Sequence, residues 1–206
     1  MEICLKDIGK KYNQDWIFRG VDYQFKSGEA YSILGSNGSG KSTLLQILSG
    51  KVIPSKGVLE YNHDGKNIEV ENIFKYLTLS TPYLELIEEY NLHEMFSLHS
   101  NLKPMIPGIS EKEFLEILNF GRASGKAIRY FSSGMKQRVK LALALLTDVP
   151  ILLLDEPCSN LDKQGMDWYN SLVTQYAGSR LVIVCSNHQS EEIGFCRHQL
   201  NVNDYK

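Results

Sequence analysis

The chain has 206 residues, with 43% apolar and 22% charged side chains, which excludes a disordered, collagenous or coiled-coil protein. That length suits one domain, or one core with a small subdomain, and needs no disulfide or metal staple to fold. A formal charge of −2 gives no electrostatic reason to expect a nucleic-acid partner, and none is expected.

Taken in chain order, residues 1–11 carry Glu2, Lys6, Asp7, Lys10 and Lys11 and have no apolar h-region, so a secretory signal is not expected. Val21, Tyr23 and Phe25 alternate with polar residues, the pattern of a half-buried antiparallel strand. Residues 30–34 form a short apolar strand that ends in a glycine-rich loop, and 43–48 read as a helix stopped near Gly50. Strands are predicted at 57–61 and 74–80. From 84 to 146 the pattern is mostly helical, and Ser110 with Glu113 has capping-box spacing ahead of Phe114, Leu115, Ile117 and Leu118. Two buried strands follow at 151–154 and 181–185, and 163–177 suits a crossover helix between them. Strands alternating with helices predict an α/β fold with a parallel sheet, and the early alternating strands predict a small antiparallel sheet beside it. The longest apolar runs, 141–146 and 151–154, fall far short of the ~18–20 residues of a bilayer span. Cys4, Cys158, Cys185 and Cys196 lack C-x-x-C spacing and read as reduced thiols of a cytoplasmic protein.

Gly35, Ser36, Asn37, Gly38, Ser39, Gly40, Lys41, Ser42 and Thr43 fit the phosphate-loop pattern G-x-x-x-x-G-K-[ST], after an apolar strand and at a helix start. The glycines let backbone N–H groups turn inward around a phosphate chain, and the helix N-terminus adds partial positive charge. Lys41 is expected on the β- and γ-phosphates, the Ser42 hydroxyl on Mg²⁺ and Thr43 near the α-phosphate. The loop by itself fits a kinase, a GTPase or an ATPase equally. The apolar strand at 151–154 ends in Asp155 and Glu156. Asp155 is a candidate Mg²⁺ ligand, and Glu156 a candidate base or polariser for a water in line with the γ-phosphate.

Phe131-Ser132-Ser133-Gly134-Met135-Lys136-Gln137-Arg138 follows, with Gly134 lying 21 residues before Asp155. This segment resembles the signature of the ATP-binding cassette (ABC) ATPases, L-S-G-G-Q followed by a basic residue, Gln and Arg. Ser132, Gly134, Lys136, Gln137 and Arg138 match it, whereas Ser133 and Met135 depart from it. Ser159-Asn160-Leu161-Asp162 resembles the family's D-loop, and His188 its switch histidine. Tyr12 stands where the family places a ring on adenine; a strand tyrosine is the alternative. The resemblance runs from about residue 3 to about residue 202, with the motifs in family order. The family's Gln between phosphate loop and signature is missing: the stretch reads Leu79-Ser80-Thr81-Pro82-Tyr83-Leu84-Glu85, in which Ser80, Thr81 or Glu85 are candidate substitutes.

The resemblance implies one cassette over 1–206: a P-loop NTPase (RecA-like) core, an N-terminal antiparallel β subdomain, and a helical subdomain at about 84–146. It implies ATP and Mg²⁺ as ligands, with Lys41, Glu156 and His188 catalytic. It also implies a head-to-tail dimer in which Ser132, Ser133 and Gly134 of a second copy bind the γ-phosphate and Asp162 lies along the seam. A polytopic permease subunit is the implied partner, on the inner face of the cell membrane. Tyr83, Leu84, Phe96 and Met105 are candidate contacts with it. A soluble ABC ATPase on ribosomes or DNA, a non-hydrolysing regulatory cassette and a small-molecule kinase are the competing readings.

Overall fold

The computed structural model describes residues 1–187 and 190–206. In chain order its strands are β1 (Glu2–Tyr12), β2 (Asp15–Lys26), β3 (Ala30–Leu34), β4 (Lys56–His63), β5 (Lys66–Ile68), β6 (Leu77–Ser80), β7 (Ile151–Asp155), β8 (Leu181–Ser186) and β9 (His198–Asn201). Its helices are α1 (Lys41–Leu48), α2 (Leu92–Leu102), α3 (Glu111–Leu118), α4 (Ser133–Leu145), α5 (Lys163–Tyr176) and the short α6 (Ser190–Ile193). Both expected sheets are present. One is antiparallel, in the order β2-β1-β4-β5; the other is parallel, in the order β6-β7-β8-β3-β9.

Every residue of β7 and β8 is buried, because the parallel sheet is covered on both faces. The alternation of side chains along each strand sorts these residues into two cores. Leu153 and Ile183 pack with Ile3, Phe18 and Phe25 of the antiparallel sheet and with Leu44 and Ile47 of α1. Leu152, Leu154, Val182 and Val184 pack on the opposite face with Phe114, Val139, Leu145 and Tyr169 of the helices. The sheet thus holds its loop-bearing strand ends between an αβ layer and a helical layer.

Two predicted elements differ from the structure, and the strand β1 has no predicted counterpart. Of residues 74–80, only Leu77–Ser80 enters the sheet, where Ile151 to Leu154 offer partners; Val70–Lys75 is a 3-10 helix and Phe74 is exposed. The span 84–146 is not continuous helix. Its regular helices start at Leu92, with capping boxes at Asn91/Glu94 and Ser110/Glu113, and α3 ends at a left-handed Asn119. The N-terminal segment is a full strand, β1, pairing with β2 on one side and β4 on the other. The crossover helix α5 lies where it was expected, capped by Asp162, whose carboxylate accepts from the Gly165 N–H at 2.8 Å.

Candidate active site

β3 runs straight into the loop that opens α1. Gly40, at φ 106, is its last residue, and a Cβ there would meet Ile17 Cγ2 at 2.5 Å and Phe18 Cδ1 at 3.0 Å. Only glycine lets the loop press so closely on β2 in that backbone conformation. No acidic residue occupies the first turn of α1, so the partial positive charge of its N-terminus is available to an anion. Lys41 is 5% exposed and its ammonium curls back over the loop. It donates to the carbonyls of Gly35 at 2.9 Å and Ser36 at 3.2 Å, and to Asn187 Oδ1.

These groups border a cleft of about 520 Å³ lined by residues 37–43 with Ile17, Tyr83, Glu156 and Asn187. Asp155 ends β7 beside it and is 3% exposed. Burial pushes its carboxyl above the ordinary range; the Ser42 hydroxyl bonded to it pulls the other way, the Glu156 charge pushes up and the Lys41 charge pulls down. Asp155 Oδ1 has no hydrogen-bond partner. A buried orphan oxygen next to a serine hydroxyl is a donor set that suits a hard cation such as magnesium. Glu156 adopts φ 46, at a cost of about 1–2 kcal/mol for a non-glycine residue. That twist ends the strand and turns the carboxylate toward the cleft. Its N–H donates to the Cys185 carbonyl at 2.9 Å, and its Oε1 accepts from Asn187 Nδ2 at 2.9 Å.

The signature segment builds a second cleft, of about 300 Å³, with Ser132, Ser133, Gly134, Asn160 and Asp162 in its lining. Ser132 caps α4, its hydroxyl oxygen accepting from the Met135 N–H at 3.2 Å, which leaves the hydroxyl proton free for an anion. A Cβ on Gly134 would lie 2.9 Å from the Asn160 carbonyl, so the signature and the segment after Glu156 touch backbone to backbone. Gln137, buried, donates to the Pro157 carbonyl at 2.9 Å and ties α4 to the same turn. Arg138 stacks between the rings of Phe120 and Trp168, 5.2 and 4.6 Å from their centroids.

The phosphate-loop residues, Asp155 and Glu156 therefore meet at one place, and Ser132, Ser133, Gly134 and Asp162 at another. Tyr12 lies off the first cleft: its ring is half-exposed with the Lys10 ammonium 5.0 Å from its centroid, and Ile17 is the hairpin residue that lines the cleft. His188 lies outside the described residues. In the stretch lacking Gln, Ser80 is buried with an unpartnered hydroxyl, and Glu85 belongs to a different cleft with Glu88 and Glu89. The residue of that stretch that borders the phosphate cleft is Tyr83, which the sequence offered only as a partner contact. Asn187 was missed as well; its one signal was its place immediately before His188.

The sequence pattern described as ABC transporter matches residues 18–159, most of the chain. The chain belongs to the ABC transporter family. This ABC cassette is 28% identical to the lantibiotic transport ATP-binding protein SrtF of Streptococcus pyogenes over 92% of the chain and 81% of SrtF. It is 30% identical to the histidine/lysine/arginine/ornithine transport ATP-binding protein HisP of Escherichia coli K12, over 93% of the chain and 81% of HisP. Among solved structures, it superposes on the dimeric bacterial ABC transporter cassette MJ0796 with a TM-score of 0.79 at 25% identity, covering 97% of this chain and 94% of that one. The expected fold, a parallel P-loop core with an antiparallel N-terminal sheet, is the fold of these cassettes. The chain is an ATP-binding subunit of the ABC transporter type.

Proposed function

We propose that this cassette, one ATP-binding domain over residues 1–206, is a magnesium-dependent ATPase that works as a head-to-tail pair and drives a separate membrane subunit from the inner face of the membrane. The observation that carries this reading is the division of the site: the phosphate loop and the signature line separate clefts with no residue in common. Each cleft alone contacts one side of a triphosphate. A second copy, inverted, supplies the other side of both.

In that pair Lys41 binds the β- and γ-phosphates, residues 35–43 wrap them with backbone N–H groups, and the base extends out of the cleft past Ile17, toward Tyr12. Asp155 and Ser42 hold magnesium, which neutralises charge on the phosphate oxygens when bound. Glu156 accepts a hydrogen bond from the attacking water. Ser132 donates its hydroxyl, and Ser133 and Gly134 their N–H groups, from the second copy, while Asp162 fixes the seam by capping α5. Cleavage of the γ-phosphate removes the group that both copies grip, and the pair opens.

The membrane subunit is supported by relatives named as transport proteins. Among the described residues no helix is long and apolar enough to cross a membrane, so any span belongs elsewhere. The contact surface best suited to it is the irregular stretch before α2, where Tyr83 and Leu84 are exposed; Phe96 is buried and Met105 packs on the core, so neither serves. Lys140 donates to the carbonyls of Thr81 and Pro82 at 3.3 and 3.2 Å, which links this surface to the signature helix.

The test is Glu156→Gln with ATP and no magnesium, followed by light scattering. The expected mass doubles on nucleotide addition. A variant that binds ATP yet stays single contradicts the paired site.

A further inference from the structure

The side chain of Asn187, just past β8, lies between two charged groups of the cleft. The Lys41 ammonium can only donate, so it takes Oδ1; the Glu156 carboxylate can only accept, so it takes Nδ2–H, at 2.9 Å. The two partners thus fix the amide's orientation. Its backbone is fixed too. Asp155 pairs with Cys185 across β7 and β8, and the Glu156 N–H donates to the Cys185 carbonyl, so Glu156 and Asn187 leave adjacent, paired strands.

The three Lys41 donors are all engaged: by the Gly35 and Ser36 carbonyls and by Asn187. An incoming phosphate must therefore displace an acceptor before the ammonium can reach it. The γ-phosphate, being anionic, is the stronger acceptor and wins the exchange. Oδ1 is then released, while Nδ2–H remains on Glu156.

We propose that Asn187 is a positioning residue with two successive tasks. In the nucleotide-free chain its Oδ1 occupies Lys41 and opposes binding. In the loaded site its Nδ2–H keeps the Glu156 carboxylate aimed at the water. This rests on the ATPase reading above, in which Lys41 and Glu156 are the groups that act.

The experiment is titration calorimetry of the full chain with magnesium-free ATP, for wild type, Asn187→Ala and Asn187→Asp, paired with steady-state hydrolysis. Asn187→Ala removes the competing acceptor, so ATP is expected to bind about 3- to 10-fold tighter, while kcat falls about tenfold because Glu156 loses its donor. Asn187→Asp puts an anion on Lys41, so ATP is expected to bind about tenfold weaker or worse. A loosened fold would weaken both variants, so the opposite signs belong to the proposed role. Affinities that move the same way in the two variants, or an Asn187→Ala kcat equal to wild type, overturn it. If wild type itself binds no ATP in this titration, the ATPase reading fails and the proposal with it.

Discussion

Lys41 and Asp155 set opposite charges beside each other where water hardly reaches, at 5% and 3% exposure. Such charges interact far more strongly than surface ones, and in the proposed reading the phosphate chain enters the same low-dielectric space. Lys41→Ala removes the only cation lining this cleft among the described residues, and turnover measured as phosphate release is expected to fall roughly a hundredfold or more. Wild-type rates in that variant would remove the phosphate-loop assignment. A second residue-scale effect concerns stability. His99 meets the Thr147 hydroxyl at 2.7 Å, and burial, aided by the Lys103 charge, lowers its pKa from 6.5 to about 4. The unfolded chain therefore binds a proton that the folded chain refuses. The stabilisation is complete above about pH 6.5 and is lost as pH falls toward about 4, in total about 3 kcal/mol. Urea unfolding across that window should show His99→Gln with a flatter acid dependence than wild type; identical slopes would refute the linkage.

At the scale of elements, α4 ties the signature to the strand-end turn and to the stretch after β6. Its first turn presents the signature, Gln137 reaches the turn after Glu156, Arg138 is clamped against α3 and α5, and Lys140 holds the stretch after β6. Gly134→Ala drives a Cβ to 2.9 Å from the Asn160 carbonyl, a backbone atom that cannot swing aside. The expected cost is about 1–3 kcal/mol in chemical unfolding, with turnover cut about tenfold as the signature leaves its place; unchanged activity would mean that this contact does not set the signature's position. Elements of this kind were legible in the sequence wherever local pattern and burial agree: β3, β7, β8 and α5 are apolar on the faces that the sheet buries. β1 was not, because its inward residues run Ile3, Leu5 and then Ile8. A register shift after Leu5, with Asp7 at φ 54, reverses the alternation midway. β9 has one deeply buried apolar residue, Leu200, in four, too few to show a period. In the site, glycine spacing and strand-end acids expose Lys41, Asp155 and Glu156. Tyr83 and Asn187 carry no motif, and only the meeting of β2, β6, β7 and β8 strand ends brings them to the phosphates' cleft.

At the scale of the whole molecule, the disjoint clefts make a quantitative demand. In the proposed pair each complete site would take Lys41 from one copy and Ser132 to Gly134 from the other, because the two clefts share no residue within one chain. A chain with Lys41→Ala keeps its signature, and a chain with Ser132→Arg keeps its phosphate loop. Each alone forms pairs in which both sites are broken. Mixed, they form heterodimers with one intact site and one doubly damaged site. With random pairing and independent sites, half the pairs are heterodimers and half of their sites work, so an equimolar mixture should recover about a quarter of wild-type turnover. The recovery should also fade on dilution, since it depends on encounter between copies. A mixture no more active than the sum of its two inactive parts would mean that the signature acts on ATP bound to its own chain, and the head-to-tail pairing would have to be abandoned.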